Sequence, residues 1–166
     1  MRLVIGLLAA GMFAAPLAAK PLVTSSEDTV ARICLARSEN PSRIVDACDA
    51  ALSDAGLTRM QRVEFITARG DGYLWLKQYG AAIASFEEAL DLDPNAVDAW
   101  NGLGWTLWEV EGDAAAYTAF ETSLSIDVTV QALGGKAATG RRMGSLSSED
   151  ARVLLSAALS IDPDYL

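Results

Sequence analysis

The amino-acid sequence predicts an all-α fold in which about four antiparallel helix-turn-helix hairpins stack on one another. One spacing, a residue followed by others four, seven and twelve positions later, occurs four times, and the copies start 38, 34 and 35 residues apart. Apolar residues around these positions recur at helical intervals, and Gly, Pro and Asn break the helical segments. A repeat of this length is typical of stacked helical hairpins, because no hairpin can bury its apolar face alone.

Small or aromatic side chains fill most positions of this spacing. The second copy is the fullest and the first is the weakest. In chain order the copies are Ile44, Cys48, Ala51 and Gly56; Ala82, Phe86, Ala89 and Pro94; Ala116, Phe120, Ser123 and Val128; and Ala151, Leu155, Ala158 and Pro163.

The first predicted hairpin spans about residues 27–56. Serine and threonine residues that precede it can cap its first helix, which we expect to run to about Arg37. The pair Asn40-Pro41 separates that helix from its antiparallel partner. Gly56 is expected to end the partner helix in the left-handed conformation that glycine adopts readily.

The second predicted hairpin spans about residues 58–94. Thr58 is the expected N-cap of its first helix, and the segment around Gly80 turns the chain back. Pro94 ends the returning helix, because proline has no N–H to donate to the helical ladder and restricts the residue before it.

The third and fourth hairpins, about residues 97–127 and 129–163, repeat this organisation. The third turns at Gly112, and the last helix of the fourth begins after the capping residue Ser147. The fourth hairpin is less regular, as expected of a terminal unit. Three glycines, each of which weakens a helix by about 1 kcal/mol relative to Ala, fall in its first helix: Gly134, Gly135 and Gly140.

Residues 1–19 predict a cleavable secretory signal peptide. A basic start at Arg2 precedes an apolar run that ends near Ala14, and small residues follow as far as the expected cleavage point after Ala19. The alternative is a retained membrane anchor, but the run is shorter than the ~20 apolar residues that a span requires. We therefore expect residues 20–166 to form one periplasmic or secreted domain with no stable membrane insertion.

Acidic residues dominate the middle of the chain. The formal net charge is −9, and residues 78–135 contain ten Asp or Glu but no Lys or Arg. Such a block disfavours nucleic acid as a partner and favours cationic partners by electrostatic steering. The alternative is that these acids serve only to keep the domain soluble.

Two cysteines, Cys34 and Cys48, suit an oxidising compartment, where a lone pair of cysteines favours a disulfide. The alternative is a pair of buried thiols that fill small core positions. Histidine is absent from the sequence, so a Ser-His-Asp triad and a His-ligated zinc site are both excluded. We predict no catalytic residue, no metal site and no cofactor.

The second repeat resembles a tetratricopeptide repeat. The resemblance rests on Gly70, Tyr73, Ala82, Phe86, Ala89 and Pro94, and it extends to Trp100, Leu103, Gly104, Ala116 and Phe120 in the third. It implies a right-handed superhelix, a non-catalytic role in protein binding, and a concave groove lined by the first helix of each hairpin. The hairpin with Cys34 and Cys48, followed by Arg69-Gly70, is similar to exported bacterial members of this family.

The resemblance also implies which side chains face the groove. Three tryptophans are the expected apolar anchors, and acids with one Asn form the expected rim. The full set is Glu64, Asp71, Trp75, Asp98, Asn101, Trp105, Trp108 and Glu109. Such a groove suits an apolar protein or peptide segment that carries Arg or Lys. The alternative is that Trp105 and Trp108 pack between hairpins.

Two functions follow from this prediction. The first is a protein–protein interaction scaffold of the bacterial cell envelope that binds a peptide or a partner's helix in the groove. The second is a structural subunit or self-associating assembly factor that stacks through its end hairpins, which would make the protein an oligomer.

Overall fold

The computed structural model describes residues 26–36, 40–110 and 112–165, and these form eight α-helices and no strand. The helices are α1 (Ser26–Cys34), α2 (Pro41–Leu52), α3 (Arg59–Trp75), α4 (Tyr79–Leu92), α5 (Val97–Glu109), α6 (Asp113–Ile126), α7 (Val130–Met143) and α8 (Ser148–Ile161). The predicted all-α stack of helical hairpins is confirmed. The predicted signal peptide at 1–19 lies outside the described residues.

The helices form two layers. Each helix packs against the next one in the chain, and in addition α1 contacts α3, α3 contacts α5, and α5 contacts α7. Within the described chain no even-numbered helix contacts another even-numbered helix. The odd-numbered helices therefore approach one another closely and form the inner layer of the stack, while the even-numbered helices form the outer layer.

Side-chain caps begin several helices. Thr58 accepts a hydrogen bond from the N–H of Gln61, and the Gln61 side chain accepts one from the N–H of Thr58, which completes a capping box at the start of α3. Ser147 and Asp150 form the same arrangement at the start of α8. These caps supply partners for N–H groups that have none within the helix.

Two predictions about helix ends were wrong. Helix α1 ends at Cys34, before Arg37, although residues 37–39 lie outside the described part of the chain. Gly56 does not end α2, which stops at Leu52 with Ser53 in the right-handed conformation. Ser53 donates to the carbonyl of Ala50 through both its hydroxyl and its N–H, so the last turn is satisfied before the chain reaches Gly56.

Two phenylalanines of the outer layer lock adjacent hairpins together. The ring of Phe86 on α4 is fully buried and lies where a Cβ atom at Gly70 on α3 or at Gly102 on α5 would collide with it. Phe120 on α6 occupies the same position between Gly104 and Gly135. The aromatic and glycine positions of the repeat therefore form one packing unit, in which the missing side chains make room for the ring.

A disulfide replaces this aromatic contact in the first hairpin. Cys48 on α2 stands at the position of the repeat that Phe86 and Phe120 occupy in the next two hairpins, and it is bonded to Cys34 on α1, with 4.7 Å between the Cα atoms. Both cysteines are buried. The sequence favoured this bridge over two free thiols, and it fastens α1 to the rest of the stack.

Helix α7 is continuous despite its glycines. Gly134 packs under the ring of Tyr165, and Gly140 packs under Leu146, so side chains from elsewhere fill the space that the glycines leave. Burial of apolar surface offsets the low helix propensity of glycine. The left-handed turn that ends this helix is at Gly144, with φ of 71°. None of the described helices is both long enough and apolar enough to cross a lipid bilayer.

Candidate functional site

A cavity of about 670 Å³ opens on the inner layer of the stack. Its longest wall is α3, and the remaining walls come from the end of α1, the start of α5 and the segments that precede α5 and α7. The lining residues used below are Leu35, Met60, Glu64, Thr67, Asp71, Trp75, Asp93, Asp98 and Asp127. We refer to this cavity as the groove.

One side of α3 faces the groove along nearly the whole helix. Met60, Glu64, Thr67, Asp71 and Trp75 follow one another at intervals of four, three, four and four residues, which places them on a single helical face. Met60 is 79% exposed and Trp75 is 45% exposed, although both are large apolar side chains. At 1.5 Å per residue, about 22 Å separates the two ends of this face.

The groove is acidic. Five carboxylates line it, and no Lys or Arg is among its described lining residues. Asp93 and Asp127 each accept a hydrogen bond from a neighbouring backbone N–H. Glu64 and Asp98 are exposed and make no hydrogen bond or ion pair within the part of the chain that the structure describes. These two carboxylates are therefore available to a cation from another molecule.

The acids are too dispersed to form a metal site. Within residues 26–36, 40–110 and 112–165 no group of three or more His, Cys, Asp or Glu side chains could hold a metal ion. Charge spread along a groove matches side chains that are spread along a partner segment better than it matches a single small ion.

Four of the predicted site residues, Glu64, Asp71, Trp75 and Asp98, line the groove. Glu109 does not; it is exposed at the end of α5 and accepts a hydrogen bond of 3.2 Å from the hydroxyl of Tyr79. The structure thus brings the sequence-predicted residues of the second hairpin together with the first turn of α5.

Asn101 is not part of the rim. Its side chain is only 5% exposed and joins three helical hairpins' worth of backbone indirectly, because its Oδ1 accepts from Ser123 at 2.7 Å and its Nδ2 donates to Thr129 at 3.1 Å. The amide therefore links α5 to α6 and to the N-cap of α7. A polar group at this position is used to satisfy buried partners, so the prediction that it contacts a ligand was wrong.

Trp105 and Trp108 pack between the third and fourth hairpins. The ring of Trp105 meets Phe120 edge-on with centroids 5.2 Å apart and meets Trp108 at 5.7 Å. The guanidinium of Arg142 on α7 lies 4.6 Å from the centre of the Trp108 ring. Both tryptophans are partly buried and neither lines the groove, so the alternative left open by the sequence describes them correctly.

Sequence reasoning missed several groove residues. Met60 lies one turn before the first position that the resemblance assigned to the groove, and Leu35 follows the end of α1. Asp93 and Asp127 lie 34 residues apart, at equivalent places before α5 and α7. That equivalence was a signal in the sequence that could have added these two acids to the predicted rim.

The sequence model of the tetratricopeptide (TPR) repeat matches residues 70–110, which run from α3 through α4 to the end of α5. The packing of Phe86 between Gly70 and Gly102 falls within this match. The chain is a tetratricopeptide repeat protein. No curated protein sequence matches it.

Solved structures share the TPR fold with this chain. The TPR domain of Sgt2 from Aspergillus fumigatus superposes with a TM-score of 0.62 at 23% identity, over 74% of this chain and 82% of that one. A structure of MamA gives 0.59 at 19% identity, over 72% and 67%. YrrB, described as a TPR protein with an unusual peptide-binding site, gives 0.58 at 22% identity, over 75% and 61%. At these identities the likeness shows the fold.

Proposed function

We propose that this TPR protein is a non-catalytic protein–protein interaction scaffold whose groove holds a segment of a partner protein. The observation that carries the proposal is the exposed face of α3, on which Met60 and Trp75 present apolar surface at either end of an acidic wall. Large apolar side chains that remain exposed beside a polar rim are typical anchors for a partner. Peptide binding by YrrB, whose fold is similar, supports the same use of this stack.

The chemistry of the groove defines the segment that it suits. Apolar side chains can cover Met60, Trp75 and Leu35, and Lys or Arg side chains can pair with Glu64 and Asp98. An anionic segment would place like charges together and would be rejected. Binding of this kind should weaken as salt is added, because the carboxylates are exposed and therefore screened.

We further propose that the protein acts in the bacterial cell envelope. Two features support this location: the signal-peptide pattern of residues 1–19, and the disulfide between Cys34 and Cys48, since disulfides persist in oxidising compartments. Cell fractionation of a tagged protein tests it. Recovery of the uncut chain from the cytoplasm would contradict it.

Affinity capture from an envelope extract tests the groove. We expect the wild-type protein to retain one or a few proteins reproducibly and the variant Trp75→Ala to lose them with its helicity unchanged, because Trp75 is largely outside the core. The matched control is Val153→Ala, which removes a comparably exposed apolar side chain (60%) from α8. Capture that survives Trp75→Ala but fails with Val153→Ala would contradict the groove and favour the end hairpin.

A further inference from the structure

The groove-facing side of α3 has the spacing of a helix-packing seam. Its residues Met60, Glu64, Thr67 and Asp71 alternate at intervals of four and three, the spacing by which one helix presents side chains to another in a coiled coil. In the described chain this seam faces a cavity and no helix covers it. A seam of this kind accepts a second helix that crosses at roughly 20°.

We infer that the groove receives an α-helix of the partner, with two Lys or Arg residues one heptad apart and a large apolar residue four positions outside each. This inference rests on the function proposed above and names the shape and charge pattern of the bound segment. The pattern is the complement of α3, where Glu64 and Asp71 are seven residues apart and Met60 and Trp75 lie four residues outside them. Because this order reads the same in both directions, the partner helix can run parallel or antiparallel to α3.

The rise of the backbone favours a helix over an extended segment. Seven residues of α3 advance about 10.5 Å, and seven residues of a second helix advance by the same distance, so cations one heptad apart stay in register. Side chains on one face of an extended chain recur every ~6.6 Å, which matches neither this interval nor the four-residue intervals at the ends. Only a helix keeps all four contacts on one face of the bound segment.

A second hairpin reinforces the position of the first cation. Asp98 on α5 lies 34 residues after Glu64, at the same place in the next repeat, and both carboxylates face the groove without an intramolecular partner in the described chain. Adjacent packed helices lie roughly 8–10 Å apart, which a Lys or Arg side chain between the two carboxylates can bridge. The Glu64–Asp98 pair is thus the expected anchor for charge, and Met60 and Trp75 are the expected anchors for apolar side chains.

Synthetic peptides test the inference directly. The probe is a labelled helical peptide, Ala-rich, with two lysines seven residues apart and a leucine four residues outside each. One control has the same composition, but its lysines are moved two positions so that they lie on the opposite side of the helix. A second control carries two internal prolines, which prevent the helix. We expect the first peptide to bind at least about tenfold more tightly than either control, by fluorescence anisotropy.

Protein variants tie the binding to the named residues. The double variant Glu64→Gln/Asp98→Asn should weaken the matched peptide about 3- to 10-fold and reduce its salt dependence, as expected for two exposed ion pairs. The control Glu87→Gln/Asp91→Asn changes the same charges on the exposed side of α4 and should leave affinity unchanged. Trp75→Ala should weaken the peptide by at least about tenfold.

The outcomes separate this inference from the proposed function. Equal binding of the two helical peptides, or tighter binding of the proline peptide, would overturn the helical register; if Trp75→Ala still weakened that binding, the groove itself would stand. Binding of the matched peptide that none of the groove variants weakens would overturn both proposals. No binding of any peptide, together with capture from extract that is insensitive to Trp75→Ala, would do the same.

Discussion

The contact between Phe86 and its two glycines makes a prediction with opposite signs at two positions. Replacement of a glycine by alanine within a helix ordinarily gains about 1 kcal/mol, because glycine loses more backbone freedom on folding. At Gly80 in α4 nothing lies within 4 Å of the added methyl group, so Gly80→Ala should raise the free energy of unfolding by up to about 1 kcal/mol.

At Gly102 the same methyl group would overlap the ring of Phe86. The ring cannot withdraw, because its other side lies against Gly70, where a Cβ atom would be only 2.7 Å from it. Overpacking of a tight core costs about 1–3 kcal/mol, and a ring confined on both sides places this site near the upper end. After the gain in helix propensity, Gly102→Ala should lower the free energy of unfolding by about 2 kcal/mol.

Urea unfolding followed by circular dichroism measures both variants. Phe86→Leu, combined with Gly102→Ala, supplies the control, because a smaller side chain relieves the overlap and the two losses should then add up to less than their sum. If Gly102→Ala stabilised the protein as Gly80→Ala does, or if the two changes proved additive, the ring and the glycines would not form a packing unit and the reasoning would be refuted.

Three further predictions concern stability. Reduction of the disulfide between Cys34 and Cys48 removes a loop constraint of about 3 kcal/mol and should lower Tm by roughly 6–12 °C in a calorimeter; an unchanged Tm would contradict the stapling role. Lys77 has φ of 58°, so Lys77→Gly should stabilise by about 1 kcal/mol in urea unfolding, and a loss of stability would show that the turn is not strained. The hydrogen bonds from the hydroxyl and then the backbone N–H of Ser147 lower the pKa of Asp150, so its stabilising effect is present above the normal carboxyl pKa of 3.8 and is lost as pH falls through the lowered value. Asp150→Asn should remove that part of the acid sensitivity of Tm between about pH 2 and pH 5, and identical pH profiles would exclude the cap as its source.

The repeated spacing was sufficient to predict the hairpins because helix formation and hairpin packing depend on the same local pattern. Ala82, Phe86 and Ala89 lie on one helical face, and that face is buried. Helix ends were less predictable, because several residues can end a helix and the first that satisfies the last carbonyls does so. Ser53 therefore ended α2 before Gly56 could. The glycines of α7 misled in the other direction, since what fills the space beside them comes from distant parts of the chain.

The candidate site was predictable on one helix and not on the next. For α3 the helical spacing of Glu64, Asp71 and Trp75 decided their direction, and the concave face was open beyond them. For α5 the same spacing decided the direction of Trp105, but the sequence does not state what lies opposite. There the fourth hairpin supplies Arg142 and leaves the tryptophans partly buried. Spacing on a helix thus predicts where a side chain points, and only packing decides whether solvent or protein meets it.

The most direct test of the groove is an NMR titration of the isotope-labelled protein with the heptad-matched lysine peptide. The amide shifts should change along the groove, at Met60, Glu64, Thr67, Trp75 and Asp98, and should leave α8 unaffected. Shifts confined to α8, around Val153 and Ile161, or spread evenly over the acidic surface, would contradict the assignment of the inner face of α3 as the binding surface.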